Sequence, residues 1–182
     1  MHSELAAALS RLDAVTGDLQ AAVSAVPAEG QAQKPAPERW CVNEVLEHLA
    51  LVEPLFVDAL VAKIVDAKAA GLGAECEAPA FLSHEMKTVV EDRSTRRSAP
   101  ERVQPTGHVD AAASLETISA THTRLRAAIE SCDGLALGDV THDHRFFGTL
   151  NVYQWVDLIT GHERRHLAQV REIVEQVARA DG

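Results

Sequence analysis

Three histidines carry the first chemical signal in this sequence. His162 and His166 stand four apart in TLNVYQWVDLITGHERRHLAQVREIVEQV, and His48 lies in WCVNEVLEHLALVEPL. Side chains four apart on a helix are neighbours, with Cβ atoms roughly 5–6 Å apart. Two imidazoles so placed can share one metal ion, and a third from another helix completes a set. Burying imidazoles without partners costs on the order of 1–3 kcal/mol each. A bound metal removes that cost and adds its binding free energy to folding. The run HERRH also matches the zinc-protease pattern H-E-x-x-H, in which the Glu is the general base. That match is set aside, because 16 residues follow His166 and none is a histidine. On the seam defined by its neighbours, Glu163 points away.

These histidines need helices to hold them, and the apolar spacing predicts four. The first spans about 3–26, with Leu5, Leu9, Leu12, Val15, Leu19, Val23 and Val26 on one face. The second spans about 42–70, with a seam of Cys41, Val45, His48, Val52, Leu55, Ala59 and Ala62, and a kink expected at Pro54. The third covers about 111–132 behind an Asp110 N-cap, with His122 in its seam. The fourth covers about 151–178, where Asn151 and Gln154 form a capping-box signal. Its seam, Trp155, Ile159, His162, His166, Gln169, Ile173 and Val177, alternates steps of three and four, as in a left-handed bundle. His122 stays open between a fourth ligand, a pocket residue and a core histidine. No convincing strand alternation is present. The connection 71–110 is long for a compact domain. In it PAFLSHEMKTVVEDR suggests a short helix and PERVQPTG reads as extended. A crossover of that length allows the helices it joins to run parallel.

Composition narrows the function classes. The chain of 182 residues suits one domain, 1–182. Hydrophobic residues make up 46% and aromatics only 4%, a balance that favours helix over strand. The net charge of −10 argues against nucleic acid, since a polyanion normally needs a basic face. The basic run RSTRR at 93–97 reads as a solvated loop. No stretch reaches the roughly 20 apolar residues of a membrane span, and the N-terminus does not read as a secretion signal. Cys41, Cys76 and Cys132, an odd set without a CxxC pair, are expected as reduced thiols in a cytoplasmic protein.

The segments ERWCVNEVLEHLALVE, APERVQPTG and FFGTLNVYQWVDLITGHERRHLAQV resemble the DinB superfamily, and the likeness runs over essentially the whole chain in order. The resemblance implies an all-α, DinB-like four-helix bundle with a long crossover between helices two and three. It also implies a divalent metal, zinc or nickel, on His48, His162 and His166. It brings thiol transferases and hydrolases as relatives, a low-molecular-weight thiol as a co-substrate, and a homodimer as the assembly. Members often carry Ser and Pro after the Trp. Cys41 and Val42 stand there instead, a poorer cap or else a thiol near the site.

Three neutral imidazoles leave a divalent ion its charge and an open position. Zinc held this way brings the pKa of bound water to about 7, and the same position suits a thiolate. Glu44 and Gln169 lie within about a turn of a ligand histidine, where either can orient an imidazole; a helix-start role is as good for Glu44. Arg164 and Arg165 read as surface charges before anion-binding groups. Two functions remain: a metal-dependent transferase or hydrolase acting on a small molecule, and a non-catalytic bundle for binding or stress response whose metal is structural or absent.

Overall fold

The computed structural model describes residues 3–75, 80–95 and 98–180. Its helices are α1 (Ser3–Ser24), the single turn α2 (Ala28–Gln31), α3 (Val42–Ala69), α4 (His84–Glu91), α5 (Ala111–Glu130) and α6 (Val152–Ala180). Four of them, α1, α3, α5 and α6, match the four predicted helices closely and form the bundle. Leu5, Leu9, Leu12 and Leu19 of α1 share one buried core with Val45, Leu46, Leu49, Leu60, Ile118, Leu125, Ile159 and Val170 of the other three. Helix α3 passes through Pro54 without a break.

Side-chain pairs fix the direction of each helix. Glu53 meets His122, Asp58 meets Arg124, and Lys68 reaches the Ser131 carbonyl, so α3 and α5 run parallel. Arg11 meets Asp157, Thr16 meets Glu163, and Asp18 meets Arg171, so α1 and α6 also run parallel. Asp13 pairs with Arg126 while Thr16 touches His122, which sets α1 antiparallel to α5. The order is up–down–down–up, and the 70–110 crossover is what permits two consecutive long helices to share a direction.

That crossover is more structured than a loop. Ser83 caps α4 through the Met86 N–H, and α4 packs on α6 at Gly161. A Cβ at Gly161 would stand 2.9 Å from Val90 Cγ1, so the glycine secures close approach despite its low helix propensity. The segment PERVQPTG, expected as extended, opens instead with a 3₁₀ turn at Glu101–Val103 and becomes extended at Gln104. Arg93, expected in a solvated loop, is bound to Glu172 and Gln169 of α6. Arg96, Arg97, Cys76 and His2 lie outside the described residues.

A two-stranded hairpin corrects the expectation of no strands. β1 (Thr141–His144) pairs antiparallel with β2 (Gly148–Asn151), with Gly148 at φ +70° entering the second strand. Asn151 then starts α6 with the predicted capping box: its N–H donates to Gln154 Oε1, and its own Oδ1 accepts from the Gln154 N–H. Asp110 caps α5 as expected, accepting from the Ala113 N–H. Among the described residues no helix is long and apolar enough to cross a membrane.

Candidate metal centre

Helices α3 and α6 run antiparallel where His48 faces His162 and His166. The ring centres are 5.7 Å apart for His48–His162, 5.0 Å for His48–His166 and 4.6 Å for His162–His166. One ring nitrogen from each lies within 4.8 Å of the others. His48 and His166 are buried and His162 is half-buried. The structure therefore gathers the three histidines singled out in the sequence into one cluster. Among the described residues no fourth His, Cys, Asp or Glu joins it.

Hydrogen bonds decide which nitrogens face inward. His48 Nδ1 lies 2.8 Å from the Val103 carbonyl, an acceptor only, so Nδ1 carries the proton and Nε2 is bare. Gln169 Oε1 accepts from Arg93 Nη1, an obligate donor, at 3.3 Å. The same oxygen lies 3.0 Å from His166 Nδ1, which must then donate, leaving His166 Nε2 bare as well. His166 Nε2 stands 3.2 Å from His162 Nε2, and His162 Nδ1 is buried without a partner. A proton on His162 Nδ1 sets two lone pairs against each other; a proton on Nε2 leaves Nδ1 a bare buried acceptor. Neither neutral tautomer satisfies the cluster, whereas a cation among the three Nε2 atoms resolves the lone-pair conflict. The donor set thus fits a divalent metal.

Burial holds all three rings neutral. It lowers the pKa of His48 against the Val103 hydrogen bond. His162 goes down to about 3, first by burial and then by the neighbouring His48, Arg165 and His144. His166 falls well below its ordinary value, by burial and then by His162 and His48. Neutral imidazole is the form a metal binds.

The crossover positions this cluster from one side. Buried Glu47 accepts from the Thr106 N–H at 2.9 Å, the Thr106 hydroxyl at 2.6 Å and the Gly107 N–H at 2.8 Å. Gly107 turns there at φ +76°, the left-handed region that suits glycine. This clamp keeps the 101–107 segment on α3 and the Val103 carbonyl on His48. Aromatic rings form another wall: Trp40 packs on His48 at 5.0 Å, and Phe56 lies 6.5 Å from His162. The hairpin adds His144, 5.8 Å from Phe56 and 5.5 Å from Trp155. Sequence reasoning passed over His144, because nothing in THDHRFFGT marks a strand.

Other expected residues take different places. Glu44 does not reach an imidazole. It accepts from the Cys41 N–H at 2.9 Å and from Lys34 Nζ at 2.8 Å, so it fixes the start of α3 that Cys41 was expected to leave loose. Cys41 is buried and burial pushes its thiol up, which keeps it protonated and unreactive. Arg164 pairs with Glu91 at the surface, and Arg165 reaches the Thr95 carbonyl. His122 is not a fourth ligand: it lies in a separate buried group, with Nε2 2.8 Å from Glu53 Oε2. Glu163 does point away from the histidines, yet it is fully buried in that same second group.

A parallel-paired helical bundle with a structured crossover and a histidine cluster between two helices is the frame of a DinB-like domain. The chain belongs to the DinB superfamily, whose model matches residues 11–170. It is also similar to the uncharacterized protein YuaE of Bacillus subtilis (strain 168), 32% identical over 149 residues, which cover 81% of this chain and 85% of that protein. No solved structure matches.

Proposed function

We propose that this protein binds a divalent metal ion, zinc or nickel, through His48, His162 and His166, and uses it to act on a small molecule by thiol transfer or hydrolysis. The observation that carries the reading is the convergence of three imidazoles, two with tautomers fixed by Val103 and Gln169 so that Nε2 is bare. When bound, such an ion supplies Lewis acidity and favours the deprotonated form of a water or thiol at the position the protein leaves open. The chain's own residues do the rest. Val103 and Gln169 orient the rings. Trp40 and Phe56 restrict water on the ring faces. His144 is an imidazole near His162, its pKa lowered by burial and then by His142, with Nδ1 accepting from the Phe146 and Phe147 N–H groups. A purely structural metal calls for a fourth protein ligand closing the site, and among the described residues none joins the three. The buried thiols of Cys41 and Cys132 agree with a reducing, cytoplasmic setting.

Elemental analysis of the purified, metal-supplemented chain tests this reading. His162→Ala should lower the metal content by one ion per chain while the helical circular dichroism is retained. An unchanged count sinks it. A screen of the metal-loaded protein with low-molecular-weight thiols and ester substrates then separates transferase from hydrolase.

A further inference from the structure

The centre of the bundle holds a second polar group, away from the three histidines. Thr16 of α1, Glu53 of α3, His122 of α5 and Glu163 of α6 meet there, one residue from every long helix. All four are buried, and Glu53 and Glu163 are fully so. Thr16 Oγ1 lies 2.8 Å from Glu163 Oε2 and 3.3 Å from His122 Nδ1, while His122 Nε2 lies 2.8 Å from Glu53 Oε2. One donor atom each from Glu53, His122 and Glu163 lies within 4.8 Å of the others.

The hydrogen bonds available do not satisfy this group. The Thr16 hydroxyl has one proton, and the Leu12 carbonyl at 3.0 Å competes for it. Neutral His122 brings one more. With both carboxyls ionised, two donors face four carboxylate oxygens; a proton on either carboxyl adds a donor, but Glu53 Oε1 and Glu163 Oε1 stay buried with no partner. Two ionised carboxylates in an apolar core, with no cation beside them among the described residues, are costly, and burial accordingly pushes both carboxyls up, Glu163 to about 8. A divalent cation supplies both missing charges and both missing contacts. Some bundles build metal sites in their cores from carboxylates and histidines on facing helices.

We propose that Glu53, His122 and Glu163 form a second metal site that binds a divalent transition-metal ion, with Thr16 orienting the Glu163 carboxylate. Donor atoms sharing one ion at about 2.0–2.2 Å lie no more than about 4.4 Å apart, and the three donors already lie within 4.8 Å of one another. The donor set differs from the first site. Two carboxylates neutralise the ion where three imidazoles leave it charged, and oxygen donors extend the choice to manganese and iron as well as zinc. Entry runs through a cleft between α1 and α5, where Thr16 and His122 form part of the lining with Gln20 and Ser119. The Asp13–Arg126 ion pair also lines it.

The test counts ions in the full chain, stripped with a chelator and then titrated separately with Zn²⁺ and Mn²⁺. Two zinc ions per chain are expected in the parent. Glu53→Gln/His122→Gln should hold one, and His48→Ala/His166→Ala should also hold one. The second variant leaves the bundle centre untouched, so it decides the matter even where the first fails to fold. Its remaining site should bind Mn²⁺ with a paramagnetic resonance spectrum distinct from free Mn²⁺. A His48→Ala/His166→Ala protein that binds neither ion overturns the proposal. So does a folded Glu53→Gln/His122→Gln protein with the parent's count.

Discussion

At the scale of single residues, the proposed function rests on which nitrogen of each ring carries a proton. Gln169 sets this for His166, and Arg93 sets the orientation of Gln169. Gln169→Leu removes the acceptor and frees the ring to flip. Loss of such an outer partner typically costs 10–100-fold in metal affinity, and competition against a chromogenic chelator should show a loss of that order with little change in helicity. The three histidines and Gln169 were legible because seam positions in α3 and α6 are otherwise apolar. Glu53 and Glu163 were not. A carboxylate off the seam reads as solvent-facing until the positions of all four helices are known, and only then does Glu163 prove to face Thr16, His122 and Glu53. His144 escaped notice for a similar reason: its approach to Phe56 depends on a hairpin that the sequence does not announce.

At the scale of elements, the crossover and the helix starts decide how well the site is held. Glu47 ties Thr106 and Gly107 to α3 with three hydrogen bonds. Hydrogen bonds to a charged group contribute about 1.5–3 kcal/mol each, and they are not independent. Glu47→Ala should therefore destabilise the fold by roughly 2–4 kcal/mol. Hydrogen exchange at 101–107 should rise far more than in α5; equal protection in both proteins would show that the clamp contributes nothing.

Glu44 acts at the start of α3. Burial alone would raise its pKa, but the Lys34 hydrogen bond and the Cys41 N–H outweigh it and hold the carboxyl below its ordinary value. A carboxyl whose folded pKa is depressed contributes stability above its unfolded pKa, about 4.5, and that contribution is lost as pH falls through the folded value. Glu44→Ala should cost about 1 kcal/mol near pH 7, and the difference from the parent should shrink below about pH 4 in urea melts. A gap that persists at low pH assigns the effect to packing instead. The capping residues Asp110, Asn151 and Gln154 were readable from sequence because their chemistry is local. The hairpin was not, since THDH and GTLN are four residues each, and β1 packs against α3 while β2 packs against α6.

At the scale of the whole molecule, the up–down–down–up order brings distant parts of the chain to shared points. His48 and His166 are separated by more than a hundred residues, and unfolding scatters them, so a metal on this site favours the native state. Mass action then stabilises the fold by about 2.7 kcal/mol per site when free metal is a hundredfold above Kd. For a chain of this length each kcal/mol raises Tm by roughly 2–4 °C, so zinc should raise the melting temperature of the stripped protein by roughly 5–11 °C for the histidine site alone. The parallel pairing that makes this possible was legible only as a permission, from the length of the 70–110 connection. The ion pairs Asp58–Arg124 and Asp18–Arg171 turn the permission into a direction. Scanning calorimetry across a zinc titration checks the expectation, and His162→Ala supplies its internal control. In that variant the histidine-site share of the shift should vanish, while any share held at the bundle centre persists. A shift of equal size in parent and His162→Ala would place all native-state binding away from the three histidines.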